Sequence, residues 1–331
     1  MPSSTSSSRL RLWELLCALC LALVIALGVE MLWRKHGYQP EPNDNADAWT
    51  AARQSVYGPN VLALAGSSRF QADLKLSTLR HWFPQKRVVQ LSLSGGCPLT
   101  ILKNLAADPK FHGDVLCEVL PHLTYTDIDP PDPFPHYSQR PAIADFESSM
   151  RVRLTPPWTI FLPEYSVQNV AGNLLLRRAF PAPSRHVADA ERELHIDFSG
   201  VDTAPLRKEF GDAYMTAGKT LTPEACAKRL EKVNEQVQNI QRRGGSVVFF
   251  QMPSSDRVRE AETTRFPDET TWEVFRRTVQ APTFRYCDTR ELNHFDCPDG
   301  GHLDFRDAEA FTNALCTEIT RRHLLTDSAA K

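Results

Sequence analysis

The sequence has little net charge to work with: 38 Lys and Arg stand against 40 Asp and Glu, leaving −2 over 331 residues. No global field gathers nucleic acid or an acidic polymer, so no nucleic-acid partner is expected. Cysteine is sparse as well, and eight are too few to build a disulfide scaffold of this size. Outside the apolar N-terminal run, where Cys17 and Cys20 read as small hydrophobes, no cysteine pair has the C-x2-C spacing of a zinc site or a thioredoxin-like motif. Neither a metal nor an organic cofactor is called for. No internal repeat is visible, which argues against a solenoid or propeller. What remains is a chain with 42% hydrophobic residues, enough for one large domain or two small ones.

The first feature that is present is a long apolar run. Residues 12–33 are almost wholly apolar, and as a helix rising about 1.5 Å per residue they would cover the roughly 30 Å hydrocarbon layer of a bilayer. Trp13 and Trp33 mark its ends at the headgroup level, with Arg9, Arg11, Arg34 and Lys35 flanking it. Glu14 and Glu30 lie close enough to those ends to reach the interface. A short basic tail leading into such a run reads as a signal anchor, with residues 1–11 cytoplasmic and the remainder across the inner (cytoplasmic) membrane, on the periplasmic side. Cleavage near Ala26-Leu27-Gly28 is the rival reading, although Val29, Met31, Leu32 and Trp33 carry the apolar stretch beyond it.

Residues 34–48 read as a polar, proline-bearing linker, and a domain is expected over 49–323, followed by a flexible tail at 324–331. Apolar runs at 61–65, 88–93, 115–120, 246–250 and 283–286 have the character of buried parallel strands, with helical patterns between several of them. That alternation predicts an α/β fold, a doubly wound parallel sheet of about five strands flanked by helices. One helix should start at Thr222 as cap with Pro223 in its first turn, burying Leu230, Val233, Val237 and Ile240 and stopping at Gly244. The last helix should bury Ala308, Phe311, Leu315 and Ile319, capped by Asp304 or Asp307. Between about 121 and 220 the pattern loosens, starting with Pro130, Pro131, Pro133, Pro135 and Pro141, and an insertion is expected there. Within it, 161–180 reads either as an amphipathic helix touching a membrane or partner, or as an ordinary helix packed on the sheet.

Three short patterns carry chemistry. Gly66-Ser67-Ser68-Arg69 follows the first strand, where a serine is exposed at the ligand-facing edge of a parallel sheet and sits at a helix N-terminus. Ser94-Gly95-Gly96 follows the second strand, where glycine lets backbone N–H groups approach a ligand as oxyanion donors. Asp299-Gly300-Gly301-His302 precedes the last helix, a spacing that lets the carboxylate reach the second ring nitrogen of a histidine base. Each alone is also an ordinary turn or cap; all three fall on one edge of the expected sheet.

That chain order resembles the SGNH (GDSL-like) hydrolase superfamily, whose sheet is flavodoxin-like. The resemblance implies Ser68 as nucleophile, His302 as base, Asp299 as its orienter, and Gly95 or Gly96 with the Ser68 amide as oxyanion donors. Ser67 stands in the place of the usual aspartate. The Gly-Ser-Ser form is similar to that of membrane-anchored cell-envelope members, such as the accessory protein of teichoic acid D-alanylation and alginate O-acetyltransferases. Those act on exported polymers, often beside an integral membrane O-acyltransferase. The third block of the superfamily, Gly-x-Asn-Asp, has no match: Glu118-Val119-Leu120-Pro121 stands there. Gln251 or Asn293 are the replacements to consider for the missing donor.

Two further residues sets bear on the site. Arg69 is expected to pair with an anionic substrate or with a structural carboxylate such as Glu118. Asn293 is carried with it as a substrate-binding candidate. Cys287 and Cys297 bracket the loop leading to Asp299, either as a disulfide bracing it or as free thiols. The sequence thus points to a membrane-anchored acyltransferase or esterase acting on an envelope glycan or other hydroxyl polymer through an acyl-serine. The alternative is a non-catalytic accessory partner of an integral membrane O-acyltransferase.

Overall fold

The computed structural model describes residues 5–37, 44, 46–128, 167–177 and 186–325, with positions 143, 146, 147, 150 and 158 between them. The proline-dense loop, most of the linker, residues 161–166 and 178–180 of the expected amphipathic helix, and residues 1–4 and 326–331 lie outside the described residues.

Helix α1 (Thr5–Lys35) contains one stretch, Leu12–Lys35, long and apolar enough to cross a membrane. Its leucines and valines are mostly exposed, Leu15, Leu19 and Val24 among them, so it is not a core helix of the domain. The domain opens with α2 (Ala46–Gln54), whose buried Trp49 donates from Nε1 to the Leu91 carbonyl at 2.9 Å.

Five strands then form a wholly parallel sheet: β1 (Val61–Ala65), β2 (Arg87–Gln90), β3 (Asp114–Glu118), and, following the hairpin strands β4 (His186–Ala188) and β5 (Leu194–Ile196), β6 (Val247–Gln251) and β7 (Thr283–Arg285). Their spatial order is β2-β1-β3-β6-β7, the 2-1-3-4-5 arrangement of doubly wound, flavodoxin-like sheets. The fold class is therefore the one the alternation of apolar runs predicts. Two of those runs outlast their strands: Leu91, Leu93, Val119 and Leu120 are buried, but β2 ends at Gln90 and β3 at Glu118. Hydrophobicity reports burial there, whereas strand length is set by the partner ladder, in which β1 reaches only Ala65.

Side-chain alternation along β1 divides the core in two. Val61, Ala63 and Ala65 face one layer with α5 (Pro98–Ala107), α9 (Pro223–Gln241) and α11 (Trp272–Thr278), while Leu62 and Leu64 face α3 (Ser68–Asp73), α4 (Leu76–Trp82) and α13 (Phe305–Arg321). Helix α9 begins as its sequence dictates, with Thr222 Oγ1 accepting from the Ala225 amide and Pro223 in the first turn. Its buried stripe is Cys226, Leu230, Val233, Val237 and Ile240, and Gly244 follows with φ +87°. For α13 the cap is Asp304, whose carboxylate accepts from Arg306 N at 3.0 Å, leaving Asp307 in the first turn.

The described residues of the 121–220 region carry regular elements. These include α6 (Pro121–Thr124), α7 (Val167–Arg177), the hairpin β4–β5 and α8 (Ala204–Thr216). The hairpin packs Ala188, Leu194 and Ile196 on Ala72 of α3, and Arg192 donates to the Gln90 and Ser92 carbonyls beyond β2. Helix α8 lies against α10 (Asp256–Arg265), close to the strand edge that carries the serine and histidine motifs. Helix α7 buries Val170 against Trp33 and Val29 of α1 and joins neither face of the sheet core.

Phe311 is fully buried between Phe250 and Phe295, so Phe311→Ala leaves an unfilled cavity. It should cost roughly 3–5 kcal/mol in urea unfolding followed by tryptophan fluorescence. A loss under about 1 kcal/mol would contradict this packing of α13 on the sheet.

Candidate active site

Parallel strands deliver their carboxyl ends to one edge, and the topological switch lies between β1 and β3, where the chain turns to opposite sides. Ser67 and Ser68 follow β1 at that point. Ser67 caps α3, its hydroxyl accepting from the Arg69 amide at 3.2 Å, while its own amide donates to Glu118 Oε2 at 2.6 Å at the end of β3. The two strands flanking the switch are thus bridged directly beneath Ser68. Ser68 is the first residue of α3 and is half-buried, with its amide at the helix N-terminus.

The loop between Cys297 and Leu303 comes from the other end of the sequence to meet it. Ser68 Oγ lies 2.8 Å from His302 Nε2, and His302 Nδ1 lies 2.8 Å from Asp299 Oδ2. Asp299 Oδ1 accepts from the Gly301 and His302 amides at 2.9 and 2.8 Å. Asp299 is buried, which by itself pushes its pKa up; the bonds from His302 and the two amides outweigh that and hold it below its ordinary value. An ionised carboxylate only accepts, so the Nδ1 proton of His302 faces Asp299, and in the neutral ring Nε2 is left to accept from the Ser68 hydroxyl. Ser68 and the Asp299–His302 pair, more than 230 residues further along the chain, form one hydrogen-bonded line.

The loop is braced without a disulfide. Cys287 and Cys297 are both free: Cys297 is buried with Sγ turned to the Pro253 carbonyl at 3.4 Å, whereas Cys287 is exposed beyond β7. Of the two alternatives, free thiols are what the structure has, and hydrogen bonds brace the loop. The Cys297 amide donates to Ser255 Oγ at 2.9 Å, Ser255 N to the Gly300 carbonyl at 3.0 Å, and Leu303 N to Asp73 Oδ1 at 3.0 Å. Gly300 has φ +96°, and a Cβ on Gly301 would stand 2.7 Å from the Phe210 ring, so both glycines are required by the loop's path.

Arg69 does not face a substrate. It is fully buried, donating from Nε to the Gly301 carbonyl at 2.9 Å and from Nη2 to the Pro253 carbonyl, with Nη1 3.6 Å from Glu262 Oε1. Burial works against its charge, yet Tyr214, Glu262 and Glu118 outweigh that and raise its pKa. Burial likewise raises Glu118, Glu262 and Asp73, with Arg69 opposing the rise in all three. The carboxylate nearest Arg69 is Glu262, a residue the sequence did not single out, rather than Glu118.

Of the two glycines after β2, Gly96 is not a free donor, because its amide closes a turn to the Leu93 carbonyl at 2.8 Å. Gly95 is exposed at φ +68°, and among the described residues its amide has no acceptor. Asn293 is exposed at the end of the short α12 (Arg290–Asn293), and no bond joins it to Ser68, Asp299 or His302. Gln251 ends β6 on the same edge and is buried.

A wall absent from the sequence reading comes from α8 and α6. The Phe210 ring meets His302 edge-on with centroids 5.5 Å apart, stacks on Tyr214 at 5.7 Å, and Tyr214 contacts His122 at 4.2 Å. Burial, helped by Arg69 and Arg265, lowers the His122 pKa to about 3, so that ring is neutral. Among the described residues no cluster of His, Cys, Asp and Glu is arranged to hold a metal ion.

No known protein-family description matches this chain, and no curated protein matches it. Among solved structures, a lipase/acylhydrolase from Enterococcus faecalis is similar at 12% identity, the alignment covering 82% of this chain and 100% of that one with a TM-score of 0.36. The fold rests on the strand order above.

The charge balance around Arg69 has a measurable sign. Glu118 and Glu262 titrate above their ordinary value of 4.5 in the folded state, so the folded chain holds protons the unfolded chain has released. Their contribution to stability therefore falls as pH rises from that value through the raised ones. Arg69→Met removes the cation that limits the rise, and should cost roughly 3–5 kcal/mol at neutral pH and less toward acid pH. Urea unfolding across a pH series checks this, and a loss independent of pH would contradict it.

Proposed function

We propose that the chain is a membrane-anchored enzyme that moves or removes an acyl group on a hydroxyl-bearing polymer of the cell envelope, through an acyl-Ser68 intermediate. The observation that carries this reading is the unbroken line from Ser68 Oγ through His302 to Asp299, both links at 2.8 Å. A buried structural histidine needs one partner; this one is held on Nδ1 by a carboxylate and offers Nε2 to a half-buried serine at a helix N-terminus.

In this reading Ser68 Oγ attacks the acyl carbonyl carbon while its proton passes to His302 Nε2. Asp299 fixes the tautomer and stabilises the imidazolium. The Ser68 and Gly95 amides face the oxyanion of the tetrahedral intermediate. When that intermediate collapses, His302 returns the proton to the leaving oxygen and the acyl group stays on Ser68. Water or a sugar hydroxyl then attacks the ester carbon, giving its proton to His302, which passes it back to Ser68 as the acylated or hydrolysed product leaves.

The SGNH resemblance supports acyl chemistry at this triad, and α1 supports a tether that keeps the domain beside a membrane, on its periplasmic side. An integral membrane O-acyltransferase as acyl supplier follows from the same resemblance. One feature favours the rival reading of a non-catalytic accessory partner: β3 ends in Glu118, buried and bonded to Ser67, where the superfamily has an asparagine donor. Losing one oxyanion donor costs on the order of 10²–10³ in turnover, so a slow enzyme is expected.

Hydrolysis of p-nitrophenyl acetate by the full chain separates the two. Native protein should exceed Ser68→Ala and His302→Ala, both at background, and Asp299→Asn should lose on the order of 10⁴-fold where the signal permits. Equal rates for native protein and Ser68→Ala would contradict the acyl-serine reading and favour the accessory one.

A further inference from the structure

Helix α7 (Val167–Arg177) is the one described element of the 121–220 region that leaves the α/β domain. Its buried residue, Val170, packs on Trp33 and Val29 of α1, and Trp33 is only 4% exposed. Those two residues lie at the domain-side end of the apolar stretch Leu12–Lys35, with Val29 six residues, or about 9 Å of helix, from its last residue. Helix α7 is therefore docked at the depth where a spanning helix leaves the hydrocarbon layer.

The surface of α7 changes character along its length. Its first two turns carry exposed Gln168 and Asn169 and half-buried Asn173, which donates from Nδ2 to the Asn169 carbonyl at 2.9 Å. Its last turn carries Leu174, Leu175 and Leu176, exposed at 40%, 81% and 87%. Three consecutive residues sweep about 200° of a helix circumference. A protein groove reads one face of a helix, at i, i+3 and i+4, and would leave part of such a ring in water. A lipid phase takes apolar side chains in every direction.

We infer that the C-terminal turn of α7 inserts Leu174, Leu175 and Leu176 into the headgroup–acyl boundary of the bilayer that α1 spans. The chain then meets the bilayer at two points, the spanning helix and this turn. The inference rests on α1 as a spanning helix and is independent of the chemistry proposed for Ser68.

The test uses the full chain with exposed Cys17, Cys20 and Cys287 changed to serine, the remaining cysteines being buried. A single cysteine is introduced at Leu175, Val24 or Lys208, labelled with an environment-sensitive nitrobenzoxadiazole dye, and reconstituted into phosphatidylcholine–phosphatidylglycerol vesicles. Nitroxide lipids labelled near the headgroup or deep in the chain serve as quenchers. The expected result is blue-shifted emission from Leu175→Cys that is quenched most by the shallow nitroxide, with Val24→Cys quenched most by the deep one and Lys208→Cys by neither. Emission from Leu175→Cys matching that from Lys208→Cys, while Val24→Cys is still deeply quenched, would overturn the insertion of α7 alone. An unquenched Val24→Cys would overturn it together with the spanning role of α1.

Discussion

The guanidinium of Arg69 is the point on which both ends of the chain converge. Its backbone belongs to the helix that starts at Ser68, and its side chain holds the Gly301 carbonyl beside His302 and the Pro253 carbonyl beyond β6. A fully buried cation is tolerable only if carboxylates and carbonyls replace its water, and Glu262, Glu118 and Asp73 surround it for that reason. The same groups then act as struts: Glu118 holds the Ser67 amide, Asp73 the Leu303 amide, and Glu262 the Ser254 hydroxyl. Each strut ends within two residues of Ser68 or His302, or on the loop that carries the Pro253 carbonyl. The serine–histidine distance is thus an outcome of one buried electrostatic cluster spanning three strand ends.

Much of this was legible in the sequence, and the boundary falls where locality ends. The five strands announce themselves because parallel strands are apolar on both faces, and the caps at Thr222 and Asp304 because capping is a matter of two or three adjacent residues. Ser68, Asp299 and His302 stand out because glycine-rich turns at strand ends leave short motifs. Arg69 was visible with two roles open, since whether an arginine beside a serine faces ligand or core depends on Glu262, almost 200 positions away. Phe210 and Tyr214 gave no signal, being ordinary apolar positions of a helix whose partner, the histidine loop, is distant in sequence. The choice between a disulfide and free thiols at Cys287 and Cys297 stayed open for a related reason: spacing brings the two near each other along the chain but does not determine that Cys297 turns inward.

Described parts of the 121–220 region touch both the site and the end of α1. Helix α8 supplies the aromatic wall against His302, the β4–β5 hairpin ties down the chain after β2, and α7 reaches the end of α1. A segment added to a doubly wound sheet at its ligand-facing edge is well placed to choose substrates.

The central claim is that the buried cluster delivers an activated serine, and covalent capture tests it with no assumption about substrate. The full chain is exposed to a fluorophosphonate and weighed intact, beside Ser68→Ala. The account predicts a single adduct on the native protein, located at Ser68 by peptide mapping and absent from the variant. Well-folded native protein that takes up no adduct, or an adduct that persists in Ser68→Ala, would contradict it.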